Sequence, residues 1–325
     1  MGVLSTAVLS IGIDIGGTKI AGGLVDGTGS ITRALRVDTP ATPAEIEDAV
    51  AAMIRELGEG THVTTAGVAA AGFMDRERTR VRFAPNIAWR DEPLRDRISE
   101  RAGLAVVIEN DADAAGWAEY RFGAGRGRSH VTMLTLGTGV GGAVIAGGEL
   151  SRGGFGIGGE LGHLRLVPGG VPCGCGRLGC LEQYASGNAL RRIATEIAES
   201  EASGRGAALA AGRQGHARVP GAVIAELVLA DDPGALEALR RVAVSLGEAC
   251  GSFSAVLDPE LFVIGGGVSM LDERLLAPVR EAYVQALPAA GHRPVAEFAI
   301  AELTNDAGVI GVADLARRAA TREGE

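Results

Sequence analysis

The feature that most constrains the fold is a strand–glycine turn–strand unit that occurs twice. In the first copy, an apolar strand over 8–15 runs into Gly16-Gly17-Thr18-Lys19, and a second strand, KIAGGLVD, follows. The second copy has VTMLTL from residue 131, then GTGVGG at 137–142, then AVIAGGEL. A glycine-tipped hairpin exposes backbone N–H groups that can hold phosphate oxygens. Two such units predict a duplicated α/β architecture of two domains with a cleft between them.

Neither glycine turn satisfies the requirements of the other common nucleotide-binding loops. The first lacks the G-K-T order of a P-loop, and no helix follows it. The second has the letters of the dinucleotide fingerprint, but a strand follows it, whereas the fingerprint needs a helix N-terminus to receive the pyrophosphate. An ordinary tight turn is the alternative for each hairpin taken alone.

Length and composition describe a globular protein of two domains. The 325 residues exceed one typical core, and the chain is 46% hydrophobic and 22% charged. A net charge of −9 disfavours nucleic acid as a partner. The sequence has no apolar run of about 20 residues and no basic region typical of a signal peptide. It therefore predicts no membrane association and a cytoplasmic location.

Three of the four cysteines lie in one short glycine-rich stretch. Cys173, Cys175 and Cys180 follow the C-x-C-x₄-C pattern, and His163 lies ten residues before the first of them. These residues supply the four ligands that tetrahedral zinc requires. Disulfides are the alternative, which a long chain without an export signal disfavours. The sequence predicts a structural Cys₃His zinc site and, in an apolar helical run, a packed thiol at Cys250.

Several acidic residues occupy positions suited to binding or catalysis. Glu160 precedes His163 by three residues, and Glu182 follows Cys180 by two, so both are candidate acceptors for a hydroxyl-rich ligand such as a sugar. Solvated loop charges are the alternative for both. Asp111 lies between the strand over 105–109 and a helix, where it is either a functional carboxylate or the N-cap of that helix.

The segments GELGH, CGCGRLGCLE and YASG resemble the zinc-binding signature of the ROK family of sugar kinases and repressors, and matching landmarks recur from residue 11 to about residue 315. The resemblance implies the two-domain actin-like ATPase (ribonuclease H-like) fold. It implies a small domain of residues 1–112 completed by 308–325, and a large domain of 113–307 with the zinc loop. It also implies ATP-dependent phosphorylation of glucose to glucose 6-phosphate, structural Zn²⁺, Mg²⁺ with ATP, and a homodimer or homotetramer.

The resemblance assigns roles to individual residues, with Asp111 as the general base. The residues that it implies for sugar binding are Gly72, Asn86, Asn110, Asp111, Glu160, His163 and Glu182. Together with the glycine turns described above, the resemblance implies that ATP is contacted by Asp14, Gly16, Gly17, Thr18, Lys19, Thr138, Gly139, Gly265, Gly266 and Gly267. The implied zinc ligands are His163, Cys173, Cys175 and Cys180. One departure is Phe155-Gly156, where many relatives carry Asn-Gly.

Other activities within the family stay open at this point. They are kinases for N-acetylmannosamine, fructose or allose, and polyphosphate as the phosphoryl donor. A non-catalytic sugar sensor or repressor carries a helix-turn-helix domain before the kinase-like fold. Here about ten residues precede the first strand and the chain is acidic, so we expect an enzyme.

Overall fold

The computed structural model describes residues 9–84, 87, 89–201 and 203–323, in which strands and helices form two α/β units. The first unit comprises Met1–Gly127, Ala143–Gly159 and Glu302–Glu325, and the second comprises Arg128–Gly142 and Glu160–Ala301. The predicted α/β fold class is confirmed, and the predicted domain boundaries stay predictions.

The strands of the described residues are β1 (Ser10–Ile15), β2 (Lys19–Val25), β3 (Ile31–Asp38), β4 (Thr65–Ala70), β5 (Phe73–Met74), β6 (Val81–Phe83), β7 (Arg90–Glu92), β8 (Ala105–Asn110), β9 (Val131–Leu136), β10 (Val140–Ala146), β11 (Glu149–Leu150), β12 (Leu261–Gly265) and β13 (Glu297–Ile300). The α-helices of the same residues are α1 (Pro43–Gly58), α2 (Leu94–Ala102), α3 (Asp111–Phe122), α4 (Glu182–Ala185), α5 (Gly187–Ser200), α6 (Ala207–Arg213), α7 (Gly221–Leu229), α8 (Pro233–Val256), α9 (Glu273–Ala286) and α10 (Ala307–Glu323).

Two five-stranded sheets share one topology. The first has the order β3-β2-β1-β4-β8 and the second the order β11-β10-β9-β12-β13. In both, the first three strands in sequence are neighbours and the fourth and fifth continue on the other side of the first. β1 pairs antiparallel with β2 and parallel with β4, and β9 pairs parallel with β12. The duplication predicted from the two glycine hairpins is therefore present in the strand order.

Helices cover both faces of β1 in the first unit. Ile11, Ile13 and Ile15 are fully buried in the core that includes residues of α1. The opposite face has Gly12, where an added Cβ would lie 2.0 Å from the Val309 carbonyl oxygen of α10. Only glycine permits that close approach, so α10 packs directly on the strand.

Local signals explain where the first helix begins. α1 starts with Pro43 after the N-cap Thr42, whose side chain accepts a hydrogen bond from the Glu45 N–H while Glu45 reaches back to the Thr42 N–H. This capping box satisfies two N–H groups at the start of the helix. The stretch 200–218 contains α6, whose Leu209 is fully buried in the core of the second unit.

The second unit has an alanine-rich helical layer next to its sheet. Phe262 of β12 stacks on Phe298 of β13 with ring centroids 5.0 Å apart, and Tyr283 of α9 packs edge-on against both. Cys250 of α8 is fully buried, as predicted. Among the described residues, no helix is both long and apolar enough to cross a membrane.

Candidate active site

The junction of β8 and α3 places Asp111 at the first position of a helix. Asn110, with extended backbone (φ −63°, ψ 143°), is the N-cap, and its Oδ1 accepts from the Ala112 and Asp113 N–H groups at 2.9 and 3.1 Å. The alternative in which Asp111 is itself the N-cap is thus wrong. The Asp111 carboxylate also accepts from the Ala112 N–H at 2.9 Å. Because Asn110 is the N-cap, the helix does not need Asp111 in that role, and its carboxylate is available for chemistry.

Asp111 and Asp14 of the first unit both have raised pKa values. Burial raises the pKa of Asp111, while hydrogen bonds from the backbone N–H groups of Ala112 and Asp111 itself act against this rise. Burial, and then the charge of Asp111, raise the pKa of Asp14 to about 7. Asp14 lies near the end of β1, where a Cβ added to Gly308 of α10 would be 2.6 Å from its Oδ2. Partly buried carboxyl groups that interact with a like charge are typical of functional sites, and a bound cation lowers their repulsion.

Gly72 and Asn110, two of the predicted sugar-binding residues, contact each other directly. The Asn110 Nδ2 donates to the Gly72 carbonyl oxygen at 3.2 Å. Gly72 has φ of 139°, and an added Cβ would lie 2.7 Å from the Phe83 carbonyl oxygen. The first unit therefore brings Gly72, Asn110 and Asp111 together. The predicted sugar contact Asn86 lies outside the described residues.

The first glycine hairpin has an exposed tip, and hydrogen bonds hold the base of its turn. The Gly16 N–H donates to the Lys19 carbonyl oxygen at 3.0 Å, and Thr39 joins the turn through its hydroxyl group, which donates to the Gly16 carbonyl oxygen at 2.7 Å. Gly17, Thr18 and Lys19 are exposed. The exposed backbone of this turn is the kind of surface that binds phosphate.

The predicted zinc ligands converge in the second unit. The ligand atoms of His163, Cys173, Cys175 and Cys180 all lie within 4.8 Å of one another, and all four cysteines of the chain are free thiols. The His163 Nδ1 lies 3.7 Å from the Cys173 Sγ, and the Cys175 and Cys180 sulfurs are 3.6 Å apart. Tetrahedral zinc with bonds of about 2.0–2.3 Å separates its ligand atoms by ~3.7 Å. The residues therefore fit a zinc ion.

The backbone around the cysteines has the shape that this convergence requires. The Cys173 N–H donates to the Arg177 carbonyl oxygen at 2.8 Å. Gly179 has φ of 81°, and an added Cβ would lie 1.6 Å from the Val167 carbonyl oxygen, so only glycine fits. Burial and hydrogen bonds with the neighbouring thiols raise the pKa of Cys180 to about 12. Metal binding must displace such protons, which makes zinc affinity depend on pH.

His163 has its second ring nitrogen directed at Glu160. Glu160 immediately precedes the short 3-10 helix Leu161–His163, and the His163 Nε2 lies 3.9 Å from a Glu160 carboxylate oxygen. With Nδ1 facing the thiols, one imidazole faces both the metal cluster and a predicted sugar-binding carboxylate. The resemblance implies both a zinc role and a sugar role for His163, and both stay predictions.

Glu182 connects the zinc loop to the second glycine hairpin. Its Oε2 accepts from the Val140 N–H at 3.2 Å, and an added Cβ at Gly139 would lie 2.1 Å from the same oxygen. Farther along, the Gly187 N–H donates to the Gly137 carbonyl oxygen at 2.8 Å. The sequence predicts Glu182 only as a sugar contact, so its contact with a predicted ATP-binding turn is new.

The third glycine-rich turn follows β12. Gly266 has φ of 83°, and an added Cβ would lie 2.5 Å from the Leu136 carbonyl carbon of β9. Gly266 and Gly267 are exposed, whereas Gly265 is buried. In the second unit, the turns at Thr138-Gly139 and Gly265–Gly267 therefore both follow the carboxyl ends of parallel neighbouring strands, where ligands of α/β sheets commonly bind.

Sequence reasoning missed a buried ionic cluster in the first unit. Arg78, Glu109 and Arg152 form ion pairs of 2.6–2.7 Å, and Glu109 is completely buried next to Asn110-Asp111. The one available signal was an acidic residue at the end of an otherwise apolar strand, which is costly to bury without a partner.

Comparison with known proteins gives matches over nearly the whole chain. The ROK family model matches residues 10–319. The glucokinase of Streptomyces coelicolor is 44% identical over 309 residues, which cover 95% of this chain and 98% of the relative. The glucokinase of Halalkalibacterium halodurans is 37% identical over 316 residues, covering 93% and 92%. A ROK family glucokinase from Streptomyces griseus, solved in complex with glucose and AMPPNP, matches with a TM-score of 0.85 and 46% identity, covering 95% of this chain and 99% of that one.

Proposed function

The chain belongs to the ROK family, and from this premise we propose that it catalyses the ATP-dependent phosphorylation of glucose to glucose 6-phosphate. The observation that carries the proposal is the similarity to glucokinases along 95% of the chain. The fold is the actin-like ATPase fold of the ROK sugar kinases. As a glucokinase, the protein takes glucose and ATP as its substrates.

Asp111 is the general base of the proposed reaction. A sugar hydroxyl group is a weak nucleophile until its proton is removed, and a positioned base contributes roughly 10²–10⁴-fold to the rate. The pKa of Asp111 is raised by burial, which makes its carboxylate a stronger proton acceptor than an ordinary aspartate. Asn110 fixes the backbone around it by capping α3, so the carboxylate is held in one orientation.

The predicted sugar-binding residues keep that role in this proposal. Asn110 and Gly72 in the first unit, and Glu160, His163 and Glu182 in the second, offer acceptors and donors for sugar hydroxyl groups. The mutual contacts of Asn110 with Gly72 and of His163 with Glu160 support this assignment. Asn86 completes the proposed set.

The glycine turns bind ATP. The first hairpin, Gly16 to Lys19, and the second, at Thr138-Gly139, present backbone N–H groups to phosphate oxygens, while Gly265–Gly267 lie against the adenosine. Asp14, whose carboxyl group is desolvated next to Asp111, would hold the Mg²⁺ that accompanies ATP. When bound, Mg²⁺ neutralises charge on the phosphates of ATP.

His163, Cys173, Cys175 and Cys180 hold a structural zinc ion. Its role is to fix the loop that carries Glu160 and His163, and it supplies no chemistry to phosphoryl transfer. A cytoplasmic location and a homodimer or homotetramer complete the proposal.

A coupled assay of ADP release tests the function and the sugar choice together. We expect turnover with ATP and Mg²⁺ to be highest on glucose when glucose, mannose, fructose, allose and N-acetylmannosamine are compared. Replacing ATP by polyphosphate should give little product. A preference for N-acetylmannosamine, fructose or allose would reassign the substrate, and the absence of turnover on every hexose would refute a sugar kinase.

A further inference from the structure

Glu109 is a completely buried glutamate whose two oxygens have separate partners. Its Oε1 lies 2.7 Å from the Arg78 Nε and accepts from the Asn110 N–H at 3.0 Å. Its Oε2 lies 2.6 Å from the Arg152 Nη2 and accepts from the Nε of the same guanidinium group at 2.7 Å. Because an isolated buried charge is very unfavourable, the two arginines compensate the burial of this carboxylate.

Arg78 extends the cluster to a second loop. Its Nη1 donates to the carbonyl oxygens of Asp75 and Gly156 at 3.0 and 2.6 Å, and its Nη2 lies 3.3 Å from the Asp113 Oδ2 of α3. The backbone of Arg78 has φ of 53°, a strained value for a residue other than glycine, and the residue is 8% exposed. This strain persists only where surrounding contacts hold the residue in place.

The segment 152–156 is fixed by these arginine contacts and by close backbone packing. An added Cβ at Gly156 would lie 2.6 Å from the Arg76 Cα, so the segment rests on the turn that carries Arg78. Phe155 is 84% exposed and supplies no buried apolar anchor. The position of this segment therefore depends on polar contacts that meet at Glu109.

We propose that Glu109 is a positioning residue for phosphoryl transfer, which holds the peptide that carries Asp111 and the segment 152–156 in one arrangement. The proposal rests on the proposed function, because it assumes that Asp111 is the base. Glu109 itself touches neither substrate. It acts through the Asn110 N–H on one side and through Arg78 and Arg152 on the other.

A second buried glutamate provides a matched control. Glu47 of α1 is also completely buried and also has two arginine partners, Arg97 at 3.7 Å and Arg101 at 3.0 Å, both on α2. These partners are helix residues outside the predicted site. Buried ion pairs are weak evidence for stability by themselves, so the comparison separates the loss of a buried charge from the loss of positioning.

The test compares the steady-state kinetics of Glu109→Gln and Glu47→Gln. Rates are expressed per folded protein, and thermal unfolding shows that each variant is folded at the assay temperature. In Glu109→Gln, the new side-chain amide must place its NH₂ group against a donor on one side or the other. We expect kcat to fall about 10–100-fold in this variant, since a displacement near 1 Å costs about that much. The KM values for ATP and glucose should stay within about threefold, and Glu47→Gln should keep the wild-type kcat. Equal kcat values for the two variants would overturn the proposal.

A second measurement is independent of activity. Hydrogen–deuterium exchange should be faster in Glu109→Gln at the amides of 110–113 and of 153–158, and unchanged there in Glu47→Gln. If the wild type proved inactive on every hexose, the proposed function would fail while this exchange result still tested the positioning. Unchanged exchange in both segments would refute the positioning.

Arg152→Gln provides a milder variant if Glu109→Gln does not fold. Arg152 is at the edge of the cluster, with a side chain that is 33% exposed, and its loss leaves the Arg78 contact in place. We expect a smaller fall in kcat with faster exchange confined mainly to 153–158. Wild-type kinetics and exchange in this variant would contradict the proposal.

Discussion

The two units hold their predicted site residues by different physical means. In the first unit, Glu109 and its arginine partners Arg78 and Arg152 fix the backbone next to Asp111. In the second unit, four thiol and imidazole ligand atoms converge within 4.8 Å at the loop that carries Glu160. Arginine stays charged at any ordinary pH, whereas the cysteines must lose protons to bind metal. The predicted residues of the second unit should therefore depend on zinc, and those of the first unit should not.

The two glycine hairpins show a similar contrast within a shared topology. The first hairpin is held by Thr39, which donates to Gly16. The second is held by Glu182, which accepts from Val140 at the end of the zinc loop. Duplication thus preserved the order of the strands but not the side chains that support the turns.

The largest expected effect concerns the chemistry of the first unit. Asp111→Asn keeps the size of the side chain but removes the proton acceptor, so kcat should fall by roughly 10²–10⁴-fold. Glucose affinity, measured by isothermal titration calorimetry, should change little. A variant with wild-type kcat would show that Asp111 is not the base.

The metal dependence of the second unit should have the next largest effect. Cys180→Ser removes a buried ligand, and we expect metal affinity to fall by at least ~100-fold. Glucose affinity should weaken as well, because Glu160 and His163 lose their fixed loop. Zinc content measured by mass spectrometry, and calorimetric titration with glucose, test both expectations.

Cys250→Ala is the matched control, because this thiol is buried in α8 outside the cluster. It should keep one zinc ion per chain and wild-type glucose affinity. Hydrogen–deuterium exchange at the amides of 110–113 in the first unit should be unaffected by removal of zinc. Faster exchange at these amides would show that the first unit also depends on zinc, which contradicts the comparison.

A smaller effect should follow from the contact between Glu182 and the second hairpin. A hydrogen bond to a charged acceptor contributes about 1.5–3 kcal/mol, so Glu182→Gln should raise the KM for ATP by roughly tenfold. Glu260→Gln is the control, because Glu260 also accepts from backbone N–H groups of the second unit, at Ser129 and His130. If only the KM for glucose changed in Glu182→Gln, Glu182 would have no role in ATP binding.

The smallest effect expected is a shift in the pH dependence of stability. The pKa of Asp14 is raised from 3.8 to about 7 in the folded state, so the folded chain binds this proton more tightly than the unfolded chain. Its contribution to stability is complete below about pH 4 and is lost as the pH rises towards 7. Urea midpoints measured without Mg²⁺ or nucleotide should fall less over this range in Asp14→Asn than in the wild type.

The pH dependence of the urea midpoint in Asp111→Asn tests whether Asp14 and Asp111 interact. The charge of Asp111 contributes to the raised pKa of Asp14, so this variant should lower that pKa. The loss of stability attributable to Asp14 should then end at a lower pH. A loss that ends at the same pH in both proteins would show that the two carboxyl groups do not interact.

Features with local signals were predicted well from the sequence. Glycine turns between apolar strands predicted both hairpins. The spacing of Cys173, Cys175 and Cys180 gave the thiol cluster, since ligands close in sequence can reach one ion. Each of these signals lies within a few residues of the feature that it predicts.

Contacts between distant residues were not predictable in the same way. Arg152 meets Glu109 across 43 positions, and Arg78 meets Gly156 across 78. No pattern in the sequence states which arginine neutralises a buried glutamate, because that choice depends on the packing of the β8 end against two loops. The contact of Glu182 with Val140, across 42 positions, was missed for the same reason.

The most direct test of the account follows the γ-phosphoryl group itself. Phosphorus NMR of the purified protein with ATP, Mg²⁺ and glucose should show the γ-phosphate signal of ATP replaced, in equal amount, by the phosphomonoester signal of glucose 6-phosphate. Appearance of inorganic phosphate alone, or an unchanged ATP spectrum, would contradict transfer to the sugar.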